Sequence, residues 1–175
     1  MFFGSTKPVE GKASAVIVKS VEEVFQFIGE DFFKNYPRWS TEVVELKPLS
    51  DGPIKVGTQA KQVRVDYGRR SESIFKVVDF QPNQRIVFSG IGQAADAPRS
   101  SAYRCAYDLD DPRLTQPCTR VTFTFEVPEI ELFMRPFEKL IRVAVQEGAE
   151  HTVKNLKSLI EKGVASKAVQ LARRP

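Results

Sequence analysis

The side chains best suited to chemistry in this sequence are a few phenols, one thiol and scattered charges set among aromatic residues. Tyr103, Cys105, Tyr107 and Leu109 occupy alternate positions, with Arg104, Ala106 and Asp108 between them. Val63, Val65 and Tyr67 alternate in the same way with Gln62, Arg64 and Asp66. Alternation with period two marks a half-buried strand, so the apolar and aromatic parity is expected to face inward on each. Phenolic oxygens at Tyr67, Tyr103 and Tyr107 could then orient the polar end of a mostly apolar ligand. The same side chains would equally fill a solid core, and the alternation leaves both readings open. Arg64, Asp66 and Glu72 are the charged candidates for proton transfer. Because Arg64 and Asp66 lie opposite Val63 and Val65, their expected place is the solvent face, as a charge ladder. Ser89 and Cys105 have no recognisable activating base, so no catalytic residue is assigned.

Residue counts exclude several other chemistries. The chain has one histidine, His151, and two cysteines, Cys105 and Cys118. Two cysteines make no disulfide framework, and one imidazole excludes any site that needs two. A zinc site would need all three residues, and nothing in their spacing suggests one. No metal or cofactor is expected, and His151 reads as a helix-surface residue. At 175 residues, 42% hydrophobic and 27% charged, the chain is the size of one domain and is not disordered as a whole. No apolar run approaches the ~18 residues of a membrane span. The first residues lack a basic segment followed by an apolar stretch, so the expected compartment is the cytoplasm.

The net charge of +4 invites a nucleic-acid reading, which its distribution removes. Residues 1–130 balance 17 basic against 17 acidic side chains. The surplus lies in residues 131–175, mostly after Gly163. Lys61, Arg64, Arg69, Arg70 and Lys76 are interleaved with Asp66, Glu72 and Asp79, as in a solvated hairpin and unlike a phosphate track.

These residues need elements to position them. Residues 1–12 read as a flexible lead-in. Ala13 to Lys19 is rich in β-branched residues and reads as a strand. Ser20 and Glu23 have capping-box spacing and open a helix over 21–28, stopped by Gly29. A second short helix or turn spans about 30–36, before Pro37. Strands are then expected over 43–46, 58–67, 70–80, 85–90, 103–109 and 120–127. On the strand over 70–80 the inward pair is either Phe75 and Val77 or Ile74 and Val78. The stretch Gln93 to Ser100 is polar. From Phe133 to Ile160 the apolar period becomes helical, and Pro136 to Lys162 would form a rod of roughly 40 Å. Gly163 is the expected stop, with 163–175 a basic, partly disordered tail. Strands joined by short turns favour an antiparallel sheet. That sheet must curve around the long helix to bury both. The fold class is therefore α+β: about seven antiparallel strands, two short helices after the first, and one long C-terminal helix.

Ser20-Val21-Glu22-Glu23-Val24-Phe25, Asn35-Tyr36-Pro37-Arg38-Trp39, Gly57-Thr58 before a long strand, and Asn155-Leu156-Lys157 near the end of the last helix come in an order that resembles the polyketide cyclase/dehydrase branch of the START-like (SRPBCC) superfamily. The resemblance covers residues 13–162. It implies a helix-grip fold, like that of the birch-pollen-allergen-like proteins, with an apolar cavity between sheet and long helix. Members bind lipids, sterols, polyketides or other hydrophobic molecules. Some are cyclases or aromatases, and some bind other proteins.

On that footing the residues expected to line a ligand cavity are Trp39, Val65, Tyr67, Phe75, Tyr103, Cys105, Tyr107, Phe123, Phe137, Ile141, Val145 and Gly148. Trp39 is either a gate near the mouth or a half-buried anchor. Gly148 either lets the helix approach the sheet, leaves room for a ligand, or is a tolerated defect. The leading functional reading is binding or carrying of a small hydrophobic molecule. A cyclase or aromatase is the alternative, and it requires a charged or paired polar group inside the cavity. A protein-interaction module using the basic tail is the third.

Overall fold

The computed structural model describes residues 7–91, 103–128, 130 and 132–172, with 164–172 described by backbone alone. The expected polar stretch 93–100, the first six residues of the lead-in and the last three of the tail lie outside them. The elements run β1 (Val9–Ile17), α1 (Val21–Phe25), a π-helical turn (Gln26–Glu30), α2 (Phe32–Trp39), β2 (Val43–Pro48), β3 (Gln59–Asp66), β4 (Arg69–Gln81), β5 (Arg85–Ile91), β6 (Arg104–Asp110), β7 (Thr119–Val127), a 3-10 turn (Leu132–Phe137) and α3 (Glu138–Ala172).

All seven strands pair antiparallel in the order β1-β7-β6-β5-β4-β3-β2. This is the curved sheet of a helix-grip fold, holding α3 on its inner face. Residues directly opposite across a ladder share a face, so the register defines the inner surface. One row runs Ala13, Phe123, Tyr107, Ile86, Phe80, and the next runs Gly11, Phe125, Cys105, Phe88, Val77. A bulge between Val77 and Asp79 shifts the parity of β4, which is how Phe75, Val77 and Phe80 all point inward. Phe75 and Val77 are thus the buried pair and Val78 is exposed.

The entry to α1 follows the capping logic. The Glu23 N–H donates to Ser20 Oγ at 3.3 Å and the Ser20 N–H to Glu23 Oε2 at 3.2 Å. The helix does not stop at Gly29. It widens after Phe25 into the π-helical turn, and α2 begins at Phe32. Pro37 lies inside α2, in its last turn, where the bond it removes is near the helix end in any case. Phe32 from α2 stacks on Phe88 with centroids 4.3 Å apart and meets Phe75 edge-on at 6.0 Å. That aromatic cluster packs α2 against the inner face of β4 and β5.

A boundary near each end of the chain also differs from expectation. β1 starts at Val9, because β7 offers pairing partners as far as Val127. Gly163 does not end α3, which continues to Ala172. A helix stop needs glycine in the left-handed region, and Gly163 is not among the glycines with positive φ. Inside a helix it costs only about 1 kcal/mol relative to alanine.

The long helix has two halves with different jobs. Ala149, Val153, Leu156 and Ile160 are buried in the core with Ile17, Val24, Phe25, Ile28 and Val121. Residues nearer its start stand over open space, described below. The helix lies tight against β1 at Gly11, where an added Cβ would overlap the Val145 carbonyl. Gly11→Ala should therefore destabilise the fold by about 1–3 kcal/mol, lowering Tm by several degrees in thermal denaturation. An unchanged Tm would show that β1 and α3 can separate freely.

Candidate functional site

The inner face of β3 is set by its pairing with β4. Ala60 lies opposite the buried Phe75, so Gln62 opposite Ser73 and Arg64 opposite Ser71 face inward too. Arg64 sits in a network of polar side chains. Its Nε and Nη2 donate to the two Asp66 carboxylate oxygens, each at 3.3 Å. Its Nη1 donates to Tyr36 Oη at 3.4 Å and Ser40 Oγ at 3.3 Å, and Glu42 Oε2 lies 3.9 Å from Nη2. The Tyr36 hydroxyl donates to Gln62 Oε1 at 3.1 Å. Gln62 Nε2 donates to Ser73 Oγ at 3.1 Å and to Tyr103 Oη at 3.0 Å.

This network lies in the wall of a cavity of about 860 Å³ between sheet and helix. Trp39, Tyr107, Phe123 and Phe125 form its aromatic wall, and Ile141, Ala144, Val145, Gly148 and Ala149 of α3 its roof. Exposed lining residues at Tyr67, Ser71, Ile91 and His151 mark the rim. Tyr103 stacks on Phe125 at 5.7 Å, and Gly90 makes room for it, since a Cβ there would come within 2.5 Å of the Tyr103 ring. Trp39 is fixed from two sides. Asn155 Nδ2 donates to its carbonyl at 3.0 Å, and its own Nε1–H donates to Tyr107 Oη at 3.2 Å.

Burial sets the protonation of these groups. It pushes the Tyr36 phenol up to about 12 and the Cys105 thiol up to about 12. It raises Tyr103 and Tyr107 as well. At neutral pH all four hold their protons and act as donors, not bases. Burial alone would weaken the Arg64 cation, but Tyr36, Asp66 and Glu42 together raise its pKa. Among the described residues no group of three or more His, Cys, Asp or Glu side chains could hold a metal ion.

Of the residues read from the sequence, Trp39, Tyr103, Cys105, Tyr107, Phe123, Ile141, Val145 and Gly148 line this cavity. Tyr67 does so only at the rim, in the β3–β4 turn with φ 51° and a fully exposed side chain. Three others are elsewhere. Val65 is on the outer face of β3, opposite Arg70. Phe75 is inward but covered by Phe32 and Tyr36, so it belongs to the core. Phe137 is in the 3-10 turn before α3 and is half exposed.

The larger correction concerns Arg64 and Asp66, which line the cavity, Asp66 with its side chain still 42% exposed. The alternation of β3 is real, and its sides are the reverse of the apolar-inside rule. Tyr36, Ser40, Glu42, Gln62, Ser71 and Ser73 join them without having been assigned from the sequence. A signal for them exists in the polar series Gln62, Arg64, Asp66, which continues across the turn into Ser71 and Ser73. Trp39, 2% exposed and bonded twice, is an anchor. Gly148 leaves room, because an added Cβ would meet nothing within 4 Å.

The family described as polyketide cyclase/dehydrase and lipid transport matches residues 8–161, and the chain belongs to it. No curated protein matches the sequence. Among solved structures, the Zhui aromatase/cyclase from Streptomyces sp. R1128 is similar at TM-score 0.69 and 10% identity, over 90% of this chain and 96% of that one. The protein TTHA0849 from Thermus thermophilus aligns at TM-score 0.65 and 19% identity, over 88% and 98%. A major latex-like protein from Panax ginseng aligns at TM-score 0.62 and 8% identity, over 87% and 97%. These likenesses show the fold.

The raised acidities make stability depend on alkaline pH. Ordinary values are 9.0 for the thiol and 10.0 for the phenols, and Cys105 and Tyr36 rise to about 12. Over that window the folded state keeps protons that the unfolded chain has lost, so stability must fall as pH rises. Urea unfolding at stepped pH should show a decline setting in near pH 9 and steepening above pH 10. A flat profile across the window between the ordinary and the raised values would contradict the burial of these groups.

Proposed function

We propose that the protein binds a small, largely apolar molecule through a neutral oxygen acceptor, such as a ketone or phenol, at one end. The observation that carries this reading is Arg64, presented with Gln62, Tyr36 and Tyr103 inside a cavity whose remaining wall is aromatic and aliphatic. A volume of about 860 Å³ lies in the range of small-molecule sites, roughly 300–1,000 Å³. The formal charges of the cluster favour a neutral acceptor. Arg64 is outnumbered by Asp66 and Glu42, so a carboxylate ligand would meet excess negative charge.

The test is calorimetric titration with 2-acetonaphthone and, for comparison, 2-naphthoate. The ketone should bind more tightly than the carboxylate. Arg64→Gln should weaken the ketone about ten-fold or more, the worth of a hydrogen bond from a charged donor. Gly148→Phe should abolish binding by filling the cavity, whereas Gly148→Ala should leave it nearly intact and raise stability by about 1 kcal/mol. Affinity untouched by both Arg64→Gln and Gly148→Phe would place the ligand elsewhere and end this reading.

A second reading, an enzyme of the cyclase type, is favoured by one observation: Arg64 and Asp66 share the cavity. Arg64 would polarise a carbonyl while Asp66 takes a proton from the neighbouring carbon. The methyl protons of 2-acetonaphthone in D₂O report on it by NMR. Exchange accelerated by the protein and lost in Asp66→Asn would support the enzyme. Exchange at the rate of free ketone would leave binding alone.

A further inference from the structure

We propose that Tyr107 is a second, separate point of polar recognition in the cavity, selecting ligands that carry an additional oxygen acceptor within their apolar body. The inference rests on the binding reading above and concerns the aromatic wall, where Tyr107 packs between Trp39 and Phe123. An indole N–H can only donate, so the bond from Trp39 Nε1 at 3.2 Å makes the Tyr107 oxygen the acceptor. The phenolic hydrogen of Tyr107 is then left over, and among the described residues no acceptor takes it. The side chain is 2% exposed and lines the cavity. A buried donor without a partner is costly to leave unmet, and the cavity is where a partner can be supplied.

Trp39 and Asn155 are positioning residues for that donor. Asn155 Nδ2, on the long helix, holds the Trp39 carbonyl at 3.0 Å. Trp39 meets the Tyr107 ring edge-on at 6.1 Å, and Phe123 packs on the same ring at 4.9 Å. The phenol therefore keeps one orientation, with its oxygen bonded on the indole side and its hydrogen free. A ligand that is only hydrocarbon at this wall leaves the donor unmet. A carbonyl, hydroxyl or ether oxygen there satisfies it.

The probes are 2-acetonaphthone and its four relatives bearing a methoxy group at ring position 5, 6, 7 or 8, titrated into the full chain. At least one methoxy compound should bind the wild type about five-fold more tightly than the parent, as one neutral hydrogen bond provides. Tyr107→Phe should erase that gain, so that the methoxy compound and the parent ketone bind the variant with equal affinity. Trp39→Phe should shrink the ratio between the two affinities, a change in selectivity that loss of structure would not produce. If Tyr107→Phe does not fold, Trp39→Phe carries the same comparison. No gain for any methoxy compound on the wild type, or a gain that survives Tyr107→Phe, overturns the role of Tyr107. Failure of the parent ketone to bind the wild type overturns the binding reading itself, and this inference with it.

Discussion

The long helix presses on β1 at Val145 and stands over open space a turn later, and the cavity is the difference. At Gly11 the absence of a side chain lets β1 press directly on the Val145 backbone. At Gly148 there is nothing within 4 Å of where a Cβ would be. Between Ala149 and Ile160 the same helix returns to solid contact with the core. A straight rod on a curved sheet cannot touch everywhere. The sequence decides where the gap lies by placing small residues where the two must meet and bulky ones, Leu156 and Ile160, where they must seal.

That gap brings polar groups indoors, and their bonds explain why the site is built as a network. A guanidinium removed from water is costly unless charge and hydrogen bonds compensate. Arg64 has both, from Asp66, Glu42, Ser40 and Tyr36. Those partners come from α2, the segment after it, and β3 itself, so the short helices position the site as well as cap the sheet. Trp39 ties the same segment to the long helix through Asn155. The end of α2 is thereby bonded to both the sheet and the long helix.

Much of the fold is legible in the sequence because it follows from periodicity. Val121, Phe123 and Phe125 alternate and do face inward, and Ser20 with Glu23 does cap a helix. The bulge after Val77 is not legible, since four neighbouring apolar residues carry no parity. The site is legible only on its apolar side. Reading β3 as apolar-inside follows the general tendency of strands, and it fails here because the inner face near the rim borders a cavity instead of a core. Val63 is buried on the other face, which makes that face look like the inside. Strands that violate the rule in this way are where function is to be sought.

The chemistry of the cluster also bears on which activity such a cavity can support. Acid–base catalysis at neutral pH needs a group that gives or takes a proton near that pH. Burial has moved the phenols of Tyr36, Tyr103 and Tyr107 and the thiol of Cys105 away from it, and Arg64 is held as a cation. These groups are fixed donors. They can orient an oxygen and stabilise charge growing on it, but they cannot begin a reaction by removing a proton. Any such step falls to a carboxylate, and Asp66 is already bonded through both its oxygens to Arg64. That carboxylate is therefore poorly placed to deprotonate a carbon while it holds Arg64.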